Sequence, residues 1–277
     1  MKSGLWIVAR LALAAYCGVI ANHPASTPMK TVLITGCSSG FGLEIARYFQ
    51  AHDWHVVATM RTPRPDVLPL SDRLRVLALD VTDPESIRKA VAAAGPIDVL
   101  VNNAGFGVAS PAEVTPMATV REVFETNTFG TIAMTQAVVP QFRQRKSGVV
   151  VNVTSSVTLM AVPLVAVYRA SKAAVNAFTE SMAVELEPFG VRVRLVLPGR
   201  SLETRFAENA RPHMHGLDLD AYAGLVKKVF ARLGDTSSPT TRAHDVAKAV
   251  WRAVTDPSSP MRIPAGADAE ALAAEVA

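Results

Sequence analysis

The chain has 277 residues, of which 49% are hydrophobic and 19% charged, with a formal net charge of +4. This is the composition of a globular chain with a sizeable core, and without a long basic run it argues against nucleic-acid binding. The two cysteines, Cys17 and Cys37, have no metal-type spacing, which excludes a disulfide framework and points to a reducing, cytoplasmic setting.

Leu5 to Ala21 is mostly apolar and follows Lys2. Arg10 interrupts the run, which falls short of the roughly 20 residues that span a bilayer. Residues 1–29 are therefore expected to be a dispensable extension, with Met29 as the real start. A membrane-associated anchor and a cleaved signal are the alternatives, and membrane contact is expected only through this segment.

Thr31 to Thr35 is a β-branched run suited to a buried strand. Gly36-Cys37-Ser38-Ser39-Gly40-Phe41-Gly42 follows, then a helical pattern from Leu43 to Gln50. Strand, glycine turn and helix together make a phosphate-binding loop credible. Gly36 permits a tight turn. Gly40 and Gly42 remove side chains where a phosphate approaches the backbone and where helix meets strand. The helix start offers free N–H groups to an anion. The second strand runs near Trp54 to Thr59 and ends in Met60-Arg61, with no acid before Asp66. An acid there would bond a ribose 2′-hydroxyl, whereas an arginine accommodates a 2′-phosphate. Arg61 thus favours NADP(H), with NAD(H) as the lesser option.

Pro63, Pro65 and Pro69 mark a loop. A third strand, Leu74 to Leu79, ends in Asp80-Val81-Thr82, and Asp83 can cap the next helix. Ile97 to Val101 is a fourth strand, closed by Asn102-Asn103-Ala104-Gly105. Successive βα units imply a parallel sheet with helices on both faces and ligands at the carboxyl ends of its strands, where Asp80, Asn102 and Gly105 would sit. A helical region runs from Met117 to Arg145, and its end carries the densest basic cluster, which suits the helix dipole. Thr126-Asn127-Thr128 inside it are poor helix formers and predict a kink or local interruption.

Val149 to Val153 is a fifth strand running into Thr154-Ser155-Ser156. Tyr168 and Lys172 lie four apart in a helical stretch, Ala166 to Leu186, that holds no Pro or Gly. That spacing puts both on one helix face. A phenol, with a pKa of about 10, becomes a better proton carrier beside a fixed ammonium, and the pair can serve a carbonyl or alcohol oxygen. Val191 to Leu197 is a sixth strand, closed by Pro198-Gly199.

Taken in order, Thr35-Gly36-(x)3-Gly40-x-Gly42, Asp80, Asn102-Asn103-Ala104-Gly105, Asn127, Ser155, Tyr168-(x)3-Lys172 and Pro198-Gly199 closely resemble the short-chain dehydrogenase/reductase family over residues 30–200. The local strings look most like its 17β-hydroxysteroid and retinol dehydrogenase branch. The resemblance implies one Rossmann-type, doubly wound parallel sheet of about seven strands in a single catalytic domain, residues 30–277. It implies Tyr168 as general acid/base, Lys172 as its partner and holder of the nicotinamide ribose, Ser155 on the substrate oxygen and Asn127 holding a water. Gly36, Ser38, Ser39, Gly40, Phe41, Gly42, Asp80, Val81, Asn102, Ala104, Gly105, Pro198 and Gly199 would line the cofactor. A homodimer or homotetramer is the expected assembly.

One departure stands out. The family has Pro-Gly-x-Val/Ile-x-Thr after the sixth strand. Here Ser201 takes the aliphatic place and Thr204, the expected carboxamide contact, comes one position late. A substrate lid is expected at about 200–240, with helices at Leu202 to Ala210 and Leu219 to Arg232. His213 and His215 read as lid or solvent-facing residues, and no metal site is expected. Thr241 to Thr255 reads as a further helix, Met261 to Pro264 as a seventh strand and Asp268 to Val276 as a terminal helix. The activity expected is NADP(H)-dependent interconversion of an apolar ketone or aldehyde with its alcohol. A non-catalytic NADP(H)-binding regulator on the same fold is the alternative.

Overall fold

The valine-rich runs become strands whose alternate side chains feed two different helix layers. The computed structural model describes residues 29–69 and 71–276. Its strands are β1 (Thr31–Ile34), β2 (His55–Met60), β3 (Leu74–Ala78), β4 (Val99–Asn102), β5 (Gly148–Val153), β6 (Val191–Pro198) and β7 (Arg262–Ala265). All pair in parallel, in the order β3-β2-β1-β4-β5-β6-β7. The chain starts in the middle of the sheet, builds to one edge through β3, then crosses back to β4. This reversal is the switch point at which α/β sheets hold their ligands.

Helices α1 (Gly40–Ala51) and α8 (Ala243–Thr255) cover one face, and α2 (Pro84–Ala94), α4 (Gly130–Arg145) and α5 (Ala166–Leu186) cover the other. The period-two alternation of a strand decides which residue meets which layer. Val32, Ile34, Val99 and Val101 pack with Phe49 of α1 and Val250 of α8. Leu33, Leu100 and Val150 face Met134 and Phe142 of α4. A fully buried side chain of this size contributes about 1.5–3 kcal/mol, so both faces of the sheet are heavily stabilised.

Asp83 caps α2 as expected, its carboxylate accepting from the Glu85 amide at 2.9 Å. The helical region from Met117 is interrupted where Thr126-Asn127-Thr128 predicted. α3 (Met117–Phe124) passes into a π-turn over Glu125–Phe129 before α4 begins. The remaining elements are α6 (Phe206–Ala210), α7 (Ala223–Gly234) and α9 (Ala267–Glu275). The helix expected from Leu202 is thus cut back to five residues. The preceding stretch is pulled away by its contacts: Glu203 accepts from the Ala243 amide that opens α8, at 3.1 Å. Apart from Met29, the expected extension lies outside the described residues, as does Cys17. Among the described residues no helix is long and apolar enough to cross a membrane.

Candidate active site

The strand tips at the switch point surround a cavity of about 980 Å³. Its floor is the glycine turn. Gly36 has φ +74° and Gly40 φ +58°, both in the left-handed region that a side chain disfavours. Gly42 has another role. A Cβ there would lie 2.3 Å from the Gly36 carbonyl oxygen, so it lets α1 pack onto the turn. Ser39 at the N-cap makes no side-chain cap, which leaves the first amides of α1 free at the cavity wall beside Ser38, Gly40 and Phe41.

Hydrogen bonds hold the turn. The Thr35 hydroxyl accepts from the amides of Asn103 and Ala104, at 3.0 and 2.9 Å. The Asn103 side chain donates back to the carbonyls of Thr35 and Gly36, at 3.0 and 3.2 Å. Thr35 and Asn103, quoted in the motifs without a role of their own, are structural nodes. Asn102, expected at the cofactor, turns instead into the layer of α4 and α5. It donates to Thr135 Oγ1 and Asn152 Oδ1, at 3.1 and 2.9 Å. Strand alternation explains the swap, since residue 102 shares a side with Leu100 while Asn103 leaves the strand.

Arg61, Arg64, Asp80 and Val81 lie at one end of the cavity. The Arg64 guanidinium donates to the Ser38 carbonyl at 2.5 Å, tying the loop after β2 to the glycine turn. Asp80 accepts from the Thr82 amide and hydroxyl, and these bonds, with the nearby Arg61 charge, hold its carboxyl below the ordinary range.

Tyr168, Lys172, Val153, Thr154, Ala104 and Gly105 lie along the same cavity. Lys172 is buried, and its ammonium donates to the Val153 carbonyl at 3.0 Å. Burial pushes its pKa down to about 8. Tyr168 is pushed up to about 12 by burial, against the opposing pull of a hydrogen bond from Ser155. The expectation that Lys172 would lower the phenol is therefore not met here; the group that favours the phenolate is the serine. Ser155 also accepts from the Val157 amide at 3.2 Å, and α5 steadies that turn through Arg169 to the Val157 carbonyl at 3.1 Å.

Asn127 lies in the π-turn and is fully buried. It accepts from the Phe106 amide at 3.0 Å and donates to the Phe106 carbonyl and to Ser171 Oγ, at 2.9 and 3.1 Å. These bonds, with that of the Thr128 hydroxyl to the Ser171 carbonyl at 3.0 Å, explain the interruption, because two poor helix formers gain partners outside the helix. A Cβ on Gly105 would meet Asn127 Oδ1 at 2.8 Å and Lys172 Nζ at 3.3 Å, so both polar groups converge on that glycine.

Pro198 and Gly199 stand back from the cavity. Asp268 receives the Arg200 amide at 2.6 Å and the Thr241 hydroxyl at 2.7 Å, and Thr241 in turn receives the Gly199 amide at 2.9 Å. Arg200 reaches the end of α7, donating to the carbonyls of Leu233 and Asp235 at 2.5 and 2.7 Å. Thr204, despite its late position, does face the cavity. It packs on Gly40, with its Cβ 3.2 Å from where a Cβ on that glycine would stand. The buried hydroxyls of Thr154 and Thr204 have no partner among the described residues, and both residues line the cavity. His213 lies 3.4 Å from Glu122 and tilts over Phe106 with ring centroids 4.5 Å apart, and His215 contacts Thr119 at 3.2 Å. Both histidines thus fasten the segment after α6 to α3.

A glycine cradle, free helix amides, orphaned hydroxyls and a basic end fit an extended dinucleotide. These features define a Rossmann-type NAD(P)-binding protein. A family model described as short chain dehydrogenase matches residues 30–215. Retinol dehydrogenase 8 of Homo sapiens is 35% identical over 257 residues, covering 84% of this chain and 80% of that protein. A short-chain dehydrogenase from Streptomyces avermitilis superposes with a TM-score of 0.77 at 33% identity, covering 90% of this chain and 92% of that one. The closed form of a serine dehydrogenase complexed with NADP+ gives 0.73 at 29% identity, covering 85% and 94%. The chain belongs to the short-chain dehydrogenase/reductase family and is an oxidoreductase of that family.

Proposed function

We propose that the protein interconverts a carbonyl and an alcohol with NADP(H), using Tyr168 as general acid/base. The carrying observation is one cavity with Arg61 and Arg64 at one end and Tyr168 and Lys172 along its wall. The glycine turn and the amides of α1 would hold the pyrophosphate, and the two arginines a 2′-phosphate. A relative whose solved structure contains NADP+ supports the phosphorylated form. The cofactor, when bound, supplies or accepts the hydride.

The chain's own part is proton handling and position. With its pKa near 12, Tyr168 is fully protonated at neutral pH and ready to donate to a carbonyl oxygen as hydride reaches the carbon. Ser155, near enough to the phenol to favour its ionised form, is placed to hold the same oxygen. Lys172 brings a cation beside Gly105, where it can bond ribose hydroxyls. The segment from about 200 to 240 serves as the substrate lid.

The test is NADPH consumption across a panel of ketones and aldehydes, with kcat/KM compared for NADPH and NADH. NADPH-dependent reduction is expected. The absence of turnover with either cofactor, in either direction, would overturn the reading.

A further inference from the structure

Phe206 opens α6 and lies over the proposed proton donor. Its ring meets Tyr168 edge-on, with centroids 5.5 Å apart and planes 62° apart. It reaches that place because residue 107 is glycine. A Cβ on Gly107 would stand 2.4 Å from Phe206 Cζ and 2.6 Å from Cε1. The ring nevertheless stays 40% exposed, and it lines the cavity together with Phe106. Tyr168 is only 8% exposed. A substrate oxygen that reaches the phenol therefore arrives along the Phe206 ring.

Two pairs of polar side chains at this mouth are engaged with each other. Arg205 pairs with Glu208 at 2.9 Å, and His213 with Glu122 at 3.4 Å. The cavity lining also holds the polar side chains of Glu125 and Asn209, and Phe206 and Phe106 supply aromatic surface to it. Such a surface rewards a flat apolar partner, and edge or offset stacking adds to simple burial.

We propose that Phe206, seated on Gly107, is the specificity-determining residue and selects ketones whose carbonyl is carried on an apolar ring system. The ring of the substrate lies against the ring of Phe206 while its oxygen meets Tyr168. This rests on the carbonyl/alcohol reading above. Small acyclic ketones reach the phenol but gain nothing from the wall.

The experiment compares α-tetralone with butanone, using NADPH and the full chain. The wild type should prefer α-tetralone. Phe206→Ala should lower kcat/KM for α-tetralone about tenfold, through KM, and leave butanone within about twofold. Phe206→Leu should recover part of the loss. Gly107→Ala pushes the ring off its seat and should fall between wild type and Phe206→Ala. NADPH affinity should not move in any of them. A tetralone-to-butanone ratio unchanged in both Phe206 variants, or a wild type that prefers butanone, would overturn the proposal. If the wild type reduces neither ketone, the carbonyl-reductase reading is in question, and binding decides the specificity. Retention of α-tetralone by NADP+-loaded wild type and Phe206→Ala is then measured by equilibrium dialysis. Weaker retention by the variant supports the proposal, and equal retention overturns it.

Discussion

The glycine-turn side of the cavity and the segment from Arg200 to Gly234 are built in opposite ways. On the first side, Thr35, Asn103 and the turn backbone close a ring of mutual hydrogen bonds over a sheet with two buried faces. On the second, α7 has no buried residue and hangs on point contacts such as Arg200 to its last carbonyls. Elements that open for ligands come from the low-stability end of a fold. In the function proposed above, the contrast separates a preorganised half assigned the chemistry from a lightly fastened half assigned the substrate. Changes in the first should strike turnover and cofactor affinity. Changes in the second should strike selectivity and local opening.

The largest effect expected is at Tyr168. Tyr168→Phe keeps the ring and removes the proton, so kcat should fall roughly 10²–10⁴-fold while NADPH binding holds. Near-normal turnover would move the chemistry away from the preorganised wall. Next comes Lys172. Its folded pKa is near 8 and its unfolded one 10.5. The unfolded chain binds more protons between those values, so stability should rise with pH across that window, by at most about 3 kcal/mol. Tyr168 works the other way: with pKa near 12 folded and 10 unfolded, it removes stability above about pH 10. Urea midpoints from pH 7 to 9 should climb in the wild type and stay flat in Lys172→Met; above pH 9 the buried Cys37 thiol, pushed up from 9.0 to about 12, removes stability in both. A flat wild-type profile would mean that the ammonium is better solvated than its burial indicates.

Arg61 tests the other end of the same half. A charge-assisted bond is worth about 1.5–3 kcal/mol, so Arg61→Ala should cost roughly one to two decades of NADPH affinity. Arg61→Asp adds repulsion and should tip the preference toward NADH. Arg64 lies in the same cavity, so the double change is the fairer measurement. A wild type that already prefers NADH would end this prediction. The smallest effect belongs to the lightly fastened half. Arg200→Met removes a cation from the C-terminal carbonyls of α7 and should cost about 1 kcal/mol, a shift of a few degrees in Tm. Amide exchange should quicken in α7 and not in α1. Equal quickening in both would erase the contrast.

Much of the preorganised half was legible in the residues, because local rules governed it. β-Branched runs bounded by turns gave six strands nearly to their ends, and glycines that need positive φ gave the turn. Thr126-Asn127-Thr128 gave the interruption now seen as a π-turn. The Asn102 side chain is not at the cavity: the same alternation, carried one residue further, turns it away and leaves Asn103 there. The segment from about 200 to 240 was less legible. Short helices with exposed faces leave little periodicity, and the cut at Leu202 follows from contacts with residues far along the chain.

By itself the sequence determined the sheet, the turn, the placing of Tyr168 and Lys172 on one helix face and the presence of Arg61 just after the second strand. Each of these depends on neighbours within a turn or a strand. Only the tertiary structure decided that burial sets both the Tyr168 and the Lys172 pKa, that Ser155 rather than Lys172 pulls against the phenol's rise, and that Phe206 reaches across to Gly107. Desolvation and van der Waals contact depend on what the rest of the chain brings alongside, and no local spacing encodes that.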